Sequence, residues 1–238
     1  MKLLEWTPGR WFHPEGCLWL DRDRTLVIAD VHLGYSFAQR RRGELGPPVD
    51  EVTAARLNRV VTELAPETVL FLGDLVHAPR PSPDERALIE RTIGQLAERA
   101  KLVNIPGNHD RRMAREFSSL PMDFTLEYES GGLYLVHGDR PPPRAPWVAG
   151  HLHPVWGFRD RGGARQRVRV FVESHGNLIL PAFSPFAAGH DLRKSLPDFW
   201  RPLLRGSTVL YAATGEAVIP LGPRTPSRGS KQFLPVPE

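Results

Sequence analysis

The chain has 238 residues, 41% of them hydrophobic, which is enough apolar material for one packed domain and excludes a disordered chain. Its one cysteine, Cys17, excludes an internal disulfide framework, and no apolar run approaches the ~20 residues that span a bilayer. The net charge of +4 suits a phosphate-rich partner, but arginines outnumber lysines 27 to 4, a bias that base composition also produces, so charge alone assigns no ligand. No segment combines the charged start, apolar middle and small-residue cleavage site of a secretory signal. A reducing, cytoplasmic setting is the expectation.

In chain order, Cys17–Leu20 and Thr25–Ala29 flank the polar Asp21–Arg24 and predict a hairpin. Val52, Ala55, Leu57, Val60, Val61 and Leu64 recur near a 3.6-residue period, which predicts a helix over Asp50–Leu64 with Asp50 as its N-cap. A strand over Val69–Gly73 follows, then a second helix over Pro83–Ala100. Strand, helix, strand, helix, strand from Thr25 to Pro106 implies parallel pairing through right-handed crossovers. Beyond it the chain turns to short strands: Phe124–Tyr128 and Leu133–Val136 around Ser130-Gly131-Gly132 as a hairpin, then Val168–Val172, Leu178–Leu180, Thr208–Ala212 and Ala217–Ile219. The fold class expected is α/β, two packed mixed β-sheets flanked by helices. One domain is expected over 1–221, with 222–238 as a Pro- and Gly-rich tail.

Five polar runs carry the chemistry: Asp30-Val31-His32, Gly73-Asp74-Leu75-Val76-His77, Gly107-Asn108-His109-Asp110, His137-Gly138-Asp139 and Gly150-His151-Leu152-His153. The first four close the aliphatic stretches TLVIAD, TVLFLGD, KLVNIPGNHD and LYLVHGD, at the carboxyl ends of predicted strands, where α/β sheets bind ligands. Their donors are carboxylate, amide and imidazole, suited to manganese, iron or zinc. In an extended segment His151 and His153 would share one face. A lone histidine is ordinarily a hydrogen-bonded structural residue, as we read His13, His175 and His190. Seven coincident donors outweigh that reading.

Together the runs resemble the calcineurin-like metallophosphoesterases, with their pattern D-x-H, G-D-x-x, G-N-H-D/E, H and G-H-x-H. The resemblance implies that Asp30, His32 and His153 hold one divalent ion, that Asn108, His137 and His151 hold the other, and that Asp74 bridges them. It further implies in-line attack on phosphorus by water held between the two ions, with a lowered pKa. By the same pattern His109 is the leaving-group proton donor or a phosphate stabiliser, its ring oriented by Asp110; the alternative is a histidine that only supports Asn108. His77 either points toward the substrate phosphate or is a loop histidine near solvent.

Asp30 to Ser36, the arginine-rich Gln39 to Gly43, the GNHD run and Leu180-Pro181-Ala182-Phe183 look most like the bacterial DNA ligase-associated subgroup. That subgroup implies a manganese-dependent endonuclease on single-stranded DNA, acting in repair beside a ligase, a helicase and an exonuclease. Arg40, Arg41, Arg42, Arg111 and Arg112 lie next to the motifs, with Arg159, Arg161, Arg165, Arg167 and Arg169 after the fifth. If they converge they could track a nucleic-acid backbone, and Tyr35, Phe37, Trp147, Trp156 or Phe158 could stack bases unless they belong to the core. Two other readings stay open: a small-molecule diesterase with the same ions, and a non-catalytic scaffold. The scaffold would not need Asn108, His109 and His151 together.

Overall fold

Two short strands that the apolar pattern does not announce come first: β1, Leu4–Thr7, and β2, Arg10–Phe12. The predicted hairpin follows as β3, Leu18–Leu20, antiparallel to β4, Thr25–Ala29. Helices α1, Tyr35–Arg41, and α2, Val49–Leu64, lead to β5, Thr68–Leu72; then α3, Pro83–Ala97, leads to β6, Lys101–Asn104. A short α4, Met113–Glu116, and β7, Asp123–Phe124, end this half. The first sheet runs β1 to β7 in order, with β4, β5, β6 and β7 parallel. The computed structural model describes residues 2–44, 46–78, 80–110, 112–187, 189–193, 196–204 and 207–223.

The second sheet contains β8, Tyr128–Ser130; β9, Leu133–Val136; β10, Trp147–Ala149; β11, Pro154–Arg159; β12, Arg165–Ser174; β13, Asn177–Ile179; and β14, His190–Asp191. After α5, Trp200–Leu203, the strands β15, Thr208–Ala213, and β16, Val218–Pro223, complete it. Its order is β14-β11-β12-β13-β10-β9-β8, with β15 on the other edge of β12 and β16 beyond. Pairing is mixed: β9, β10 and β13 are parallel, whereas β11 and β12 are antiparallel.

Alternation along β4 explains the layers. Leu26 and Ile28 pack outward under α2 and α3 with Leu57, Val60, Ile89 and Ile93, while Val27 and Ala29 face the second sheet, against Leu135, Val148 and Phe171. Both faces are covered, so all of β4 is buried, as parallel strands require. A third cluster, including Trp147, Val170, Trp200 and Leu210, covers the outer face of the second sheet. Among the described residues no helix is long and apolar enough to cross a membrane.

Three sequence expectations change. Helix α2 begins at Val49 behind Pro48 with no side-chain cap; Asp50 is buried and accepts instead from the Gly34 N–H (2.9 Å), the Ser36 N–H (3.1 Å) and the Ser36 hydroxyl, so it caps α1. The stretch Phe124–Tyr128 is not one strand. Phe124 joins the first sheet through β7, and Tyr128 opens the hairpin with β9 in the second. Finally, β16 runs to Pro223, past the expected tail boundary, and 224–238 lie outside the described residues.

Candidate metal centre

The five runs leave their strands at one end of the sandwich, where the backbone locks them together. Asp30 N–H donates to the Gly73 carbonyl (3.2 Å) and His32 N–H to the Asp74 carbonyl (2.8 Å), tying the first run to the second. Gly150 N–H reaches the His137 carbonyl (2.8 Å), and His151 N–H reaches Asp30 Oδ2 (2.8 Å), tying the second sheet to the first. From the other side Phe183 N–H and Ser184 N–H hold the Ala29 and Asp30 carbonyls.

Donor atoms of Asp30, His32, Asp74 and His153 lie within 4.8 Å of one another, as do those of Asp74, His137 and His151. Asp74 is common to both groups. Asn108 Oδ1 joins the second group 3.3 Å from His137 Nε2, which lies 3.1 Å from His151 Nδ1. His137 Nδ1 donates to the Leu72 carbonyl (2.8 Å), which leaves its Nε2 lone pair facing the cluster. Asp30 Oδ1 is buried without a hydrogen-bond partner, 3.3 Å from His153 Nε2. An orphaned carboxylate oxygen among imidazoles fits a divalent cation, and neutral imidazoles fit it too. Burial, helped by the neighbouring His153, pushes His32 down to about 3, and burial beside His137 lowers His151.

Close approach makes glycine necessary here. A Cβ on Gly73, whose φ is +73°, would stand 2.6 Å from His137 Cγ, and one on Gly107 would stand 2.6 Å from the Asp74 backbone nitrogen. The donors themselves are twisted: Asp30, His32, Asp74, His151 and His153 all have φ between 48° and 65°. His151 and His153 are therefore not in the extended segment expected from their spacing. They reach the clusters from left-handed turns.

Beside the first group stands a second set of rings. His77 Nδ1 lies 3.3 Å from His32 Nδ1, its ring stacks on His109 (5.2 Å, 25°), and Tyr35 meets its edge at 5.0 Å. His77 thus sits beside His32 and His109. Burial and the nearby His109 push it down to about 4. His109 N–H donates to Asp74 Oδ1 (2.8 Å), and its Nδ1 donates to the His77 carbonyl (2.9 Å). Asp110 does not orient that ring. Its buried carboxylate accepts from Leu75 N–H (2.8 Å), Gly107 N–H and Asn104 Nδ2 (3.4 Å), stapling the second and third runs together, and burial pushes it up to about 6.

The basic and aromatic candidates divide. Arg40 lies over the Phe37 ring (4.5 Å), Arg41 pairs with the fully buried Glu85 (2.6 Å) and Arg42 pairs with Glu44 (3.0 Å). Arg41 and Arg42 nevertheless stand close enough to bear on His77. Arg112 is exposed at the start of α4; Arg111 lies outside the described residues. Trp156 packs partly buried against the cluster on the outer face of the second sheet, and Trp147 is buried there, so neither is a free stacking platform. Arg169 is also structural: it donates to the Glu15, Ala182 and Phe183 carbonyls and, with Arg56, surrounds buried Glu15. Sequence reasoning missed this Glu15 network and gave Tyr35 and Asp50 other roles, as a base-stacking candidate and a helix cap. Asp50 was visible only as a helix-start residue, because its partners are fourteen and sixteen residues upstream.

A family model of the calcineurin-like phosphoesterases matches residues 23–210. Among solved structures the chain is similar to the Pseudomonas putida nuclease MPE, with 30% identity over 92% of this chain and 99% of that chain and a TM-score of 0.72. Comparison with curated protein sequences gave no match. Most of the chain, and all the runs that meet at its strand ends, fall within the family match, so this protein belongs to the calcineurin-like phosphoesterases and is a metal-dependent hydrolase of phosphate esters.

Proposed function

We propose that the chain is a manganese-dependent endonuclease acting on single-stranded DNA in cytoplasmic DNA repair, alongside a ligase, a helicase and an exonuclease. The observation that carries the phosphodiesterase reading is Asp74, common to two donor groups. In this reading Asp30, His32 and His153 hold one ion, Asn108, His137 and His151 the other, and Asp74 both. The donor set of oxygen and nitrogen suits manganese, with iron and zinc as the competing ions. The likeness to a solved nuclease along nearly its whole length supports nucleic acid as the substrate. The subgroup resemblance of the Asp30–Ser36 and Gly107–Asp110 runs supports the single-stranded substrate and the repair setting.

Two bound divalent ions supply activation of water and neutralisation of charge on the phosphate. The chain's own residues do the rest. His109, with Nδ1–H committed to the His77 carbonyl, has Nε2 left to carry a proton to the leaving oxygen. His77 stacks on that ring and meets Tyr35 at its edge, which fixes both imidazoles beside His32. His137 is held by the Leu72 carbonyl with Nε2 forward, and Asp110 keeps the two loops in register.

The test is incubation of the parent with manganese and covalently closed circular single-stranded DNA, with Asp74→Ala as the control for contaminating nucleases. A circle has no ends, so linearisation by the parent and not by the variant supports an endonuclease. An intact circle beside rapid hydrolysis of a nitrophenyl diester would replace this reading with a small-molecule diesterase. Asp74→Ala is expected to bind fewer than two ions and to lose turnover. A variant with two ions and parental rate would overturn its bridging role.

A further inference from the structure

We infer that a cationic cleft along β11 and β12, formed by Arg159, Arg165, Arg167 and Arg193, binds backbone phosphates of the nucleic acid several nucleotides from the scissile bond. The inference rests on the nuclease reading above and adds the path that the strand takes away from the ions. The cleft encloses about 360 Å³, at the small end of ligand sites and enough for a phosphodiester unit.

Register builds it. The antiparallel β11 and β12 place Gly157 opposite Arg167 and Arg159 opposite Arg165, so these side chains share one face of the sheet. Two arginines directly opposite each other on paired strands repel, a destabilising arrangement unless an anion lies between them. Arg159 donates to the Gly163 carbonyl (2.6 Å), but no carboxylate relieves the pair: the side chains of Arg165 and Arg167 are exposed and make no ion pair or hydrogen bond with a described residue. Arg193 enters where Gly157 has no side chain; a Cβ there would stand 2.8 Å from its Cζ. Among the described lining residues only Asp191 is acidic, and it is taken up by Arg193 (2.6 Å). The balance over the cleft is four guanidinium groups against one carboxylate.

The cleft is connected to the metal centre by its own strand. β11 begins one residue after His153, and β14 pairs alongside it, with His190 N–H on the His153 carbonyl (3.0 Å). From His153 to Gly157 and Arg159 the strand covers about 13–20 Å at ~3.3 Å per residue, the length of a few nucleotides of an extended single strand. A bound single strand leaving the ions along β11 would meet these arginines. A diester of one or two nucleotides would not reach them.

The test compares the parent, Arg165→Ala/Arg167→Ala, and Arg91→Ala/Arg99→Ala, which removes the same charge from α3 and the turn that follows it. Affinity for a long oligothymidylate is read by fluorescence anisotropy across a salt series, and cleavage is read on that oligomer and on a thymidine dinucleotide. The cleft variant should lose on the order of ten-fold in affinity, and its salt slope should become shallower by roughly 1 to 1.5, at ~0.7 per phosphate contact on a single strand. Its ratio of long-oligomer to dinucleotide cleavage should fall by the same factor. An unchanged slope in the cleft variant, beside a parent that binds and cuts DNA, would overturn the cleft alone. A loss of equal size on the dinucleotide would mark a small-phosphate site and also overturn it. A parent that hydrolyses a nitrophenyl diester but neither binds nor cuts DNA would remove the nuclease reading and the cleft with it.

Discussion

Gly107→Ala isolates the packing of the metal centre from its chemistry. The position has no positive φ, so alanine meets no backbone penalty, and the whole effect is the added carbon. That carbon would lie 2.6 Å from the Asp74 nitrogen and 2.8 Å from His137 Cε1, and closer still to Asp74 Oδ1. Restoring contacts of ~3.5 Å requires the Asp74 backbone and His137 to move away from the added carbon by about 0.7–0.9 Å, and the Asp74 carboxylate by more. Both are donors, so the donor groups open together. A displacement of ~1 Å in a reacting array costs on the order of 10²-fold in rate, or ~2.7 kcal/mol in barrier. The measurement is turnover of a nitrophenyl diester at saturating manganese, with bound metal counted by elemental analysis and folding checked by thermal denaturation. Gly94→Ala is the matched control: its Cβ meets nothing within 4 Å in the interior of α3, so activity should hold and stability should rise by up to ~1 kcal/mol. Parental turnover and metal content in Gly107→Ala would refute the claim that this glycine holds the two donors in place.

His109→Ala should retain its metals and lose far more activity on DNA, whose alkoxide leaving group needs a proton, than on a nitrophenyl diester; equal losses would reassign the ring to phosphate binding. Arg41→Ala should lower stability by about 1–3 kcal/mol, since it strips the partner from wholly buried Glu85, and an unchanged melting temperature would show the pair to be idle. Glu15 gives a pH prediction. Its burial opposes charge, but Arg56, Arg169 and Arg59 hold its carboxyl below the ordinary range. Its contribution is therefore present above the unfolded carboxylate pKa of ~4.3 and is lost as pH falls through the lower folded value. Glu15→Gln should melt earlier at neutral pH and flatten the acid limb of the stability curve, and parallel curves for parent and variant would contradict this.

The parts of the fold that could be read in advance are those with a repeating apolar signal. β4, β5 and β6 are aliphatic because both faces are covered, and α2 and α3 carry an apolar stripe because one face packs on that sheet. The strands that escaped notice, β1, β2, β10, β11 and β14, are short or interrupted by Trp, Pro or Gly, and their identity comes from neighbours distant in sequence. β10 is a strand because it completes a parallel path between β9 and β13. Phe124 and Tyr128 likewise go to different sheets for a reason that no local pattern contains.

At the site the donor types and their order were legible, whereas the roles of their neighbours were not. Asp110 sits beside His109 in sequence, yet its carboxylate turns inward to the N–H groups of Leu75 and Gly107, because two loops that cross at close range leave those donors with no other partner. The conformation of the donors follows from the same crowding. Each chain segment arrives extended and must turn at once to present its side chain to a shared point, and left-handed φ achieves that within one residue. Glycine would take the turn without strain but has no donor atom. Aspartate and histidine are among the residues that enter this region most readily, so Asp30, His32, Asp74, His151 and His153 accept a local cost, of order 1–3 kcal/mol each, to combine the turn with a ligand. The glycines then fall beside them: at Gly73 a positive φ and close neighbours both apply, whereas at Gly107 and Gly150 bulk alone is limiting, a Cβ on Gly150 meeting Asp30 Oδ2 at 2.7 Å. The alternation of glycine with acid or imidazole in these runs is thus one solution to two demands, a donor at each turn and an empty space next to it.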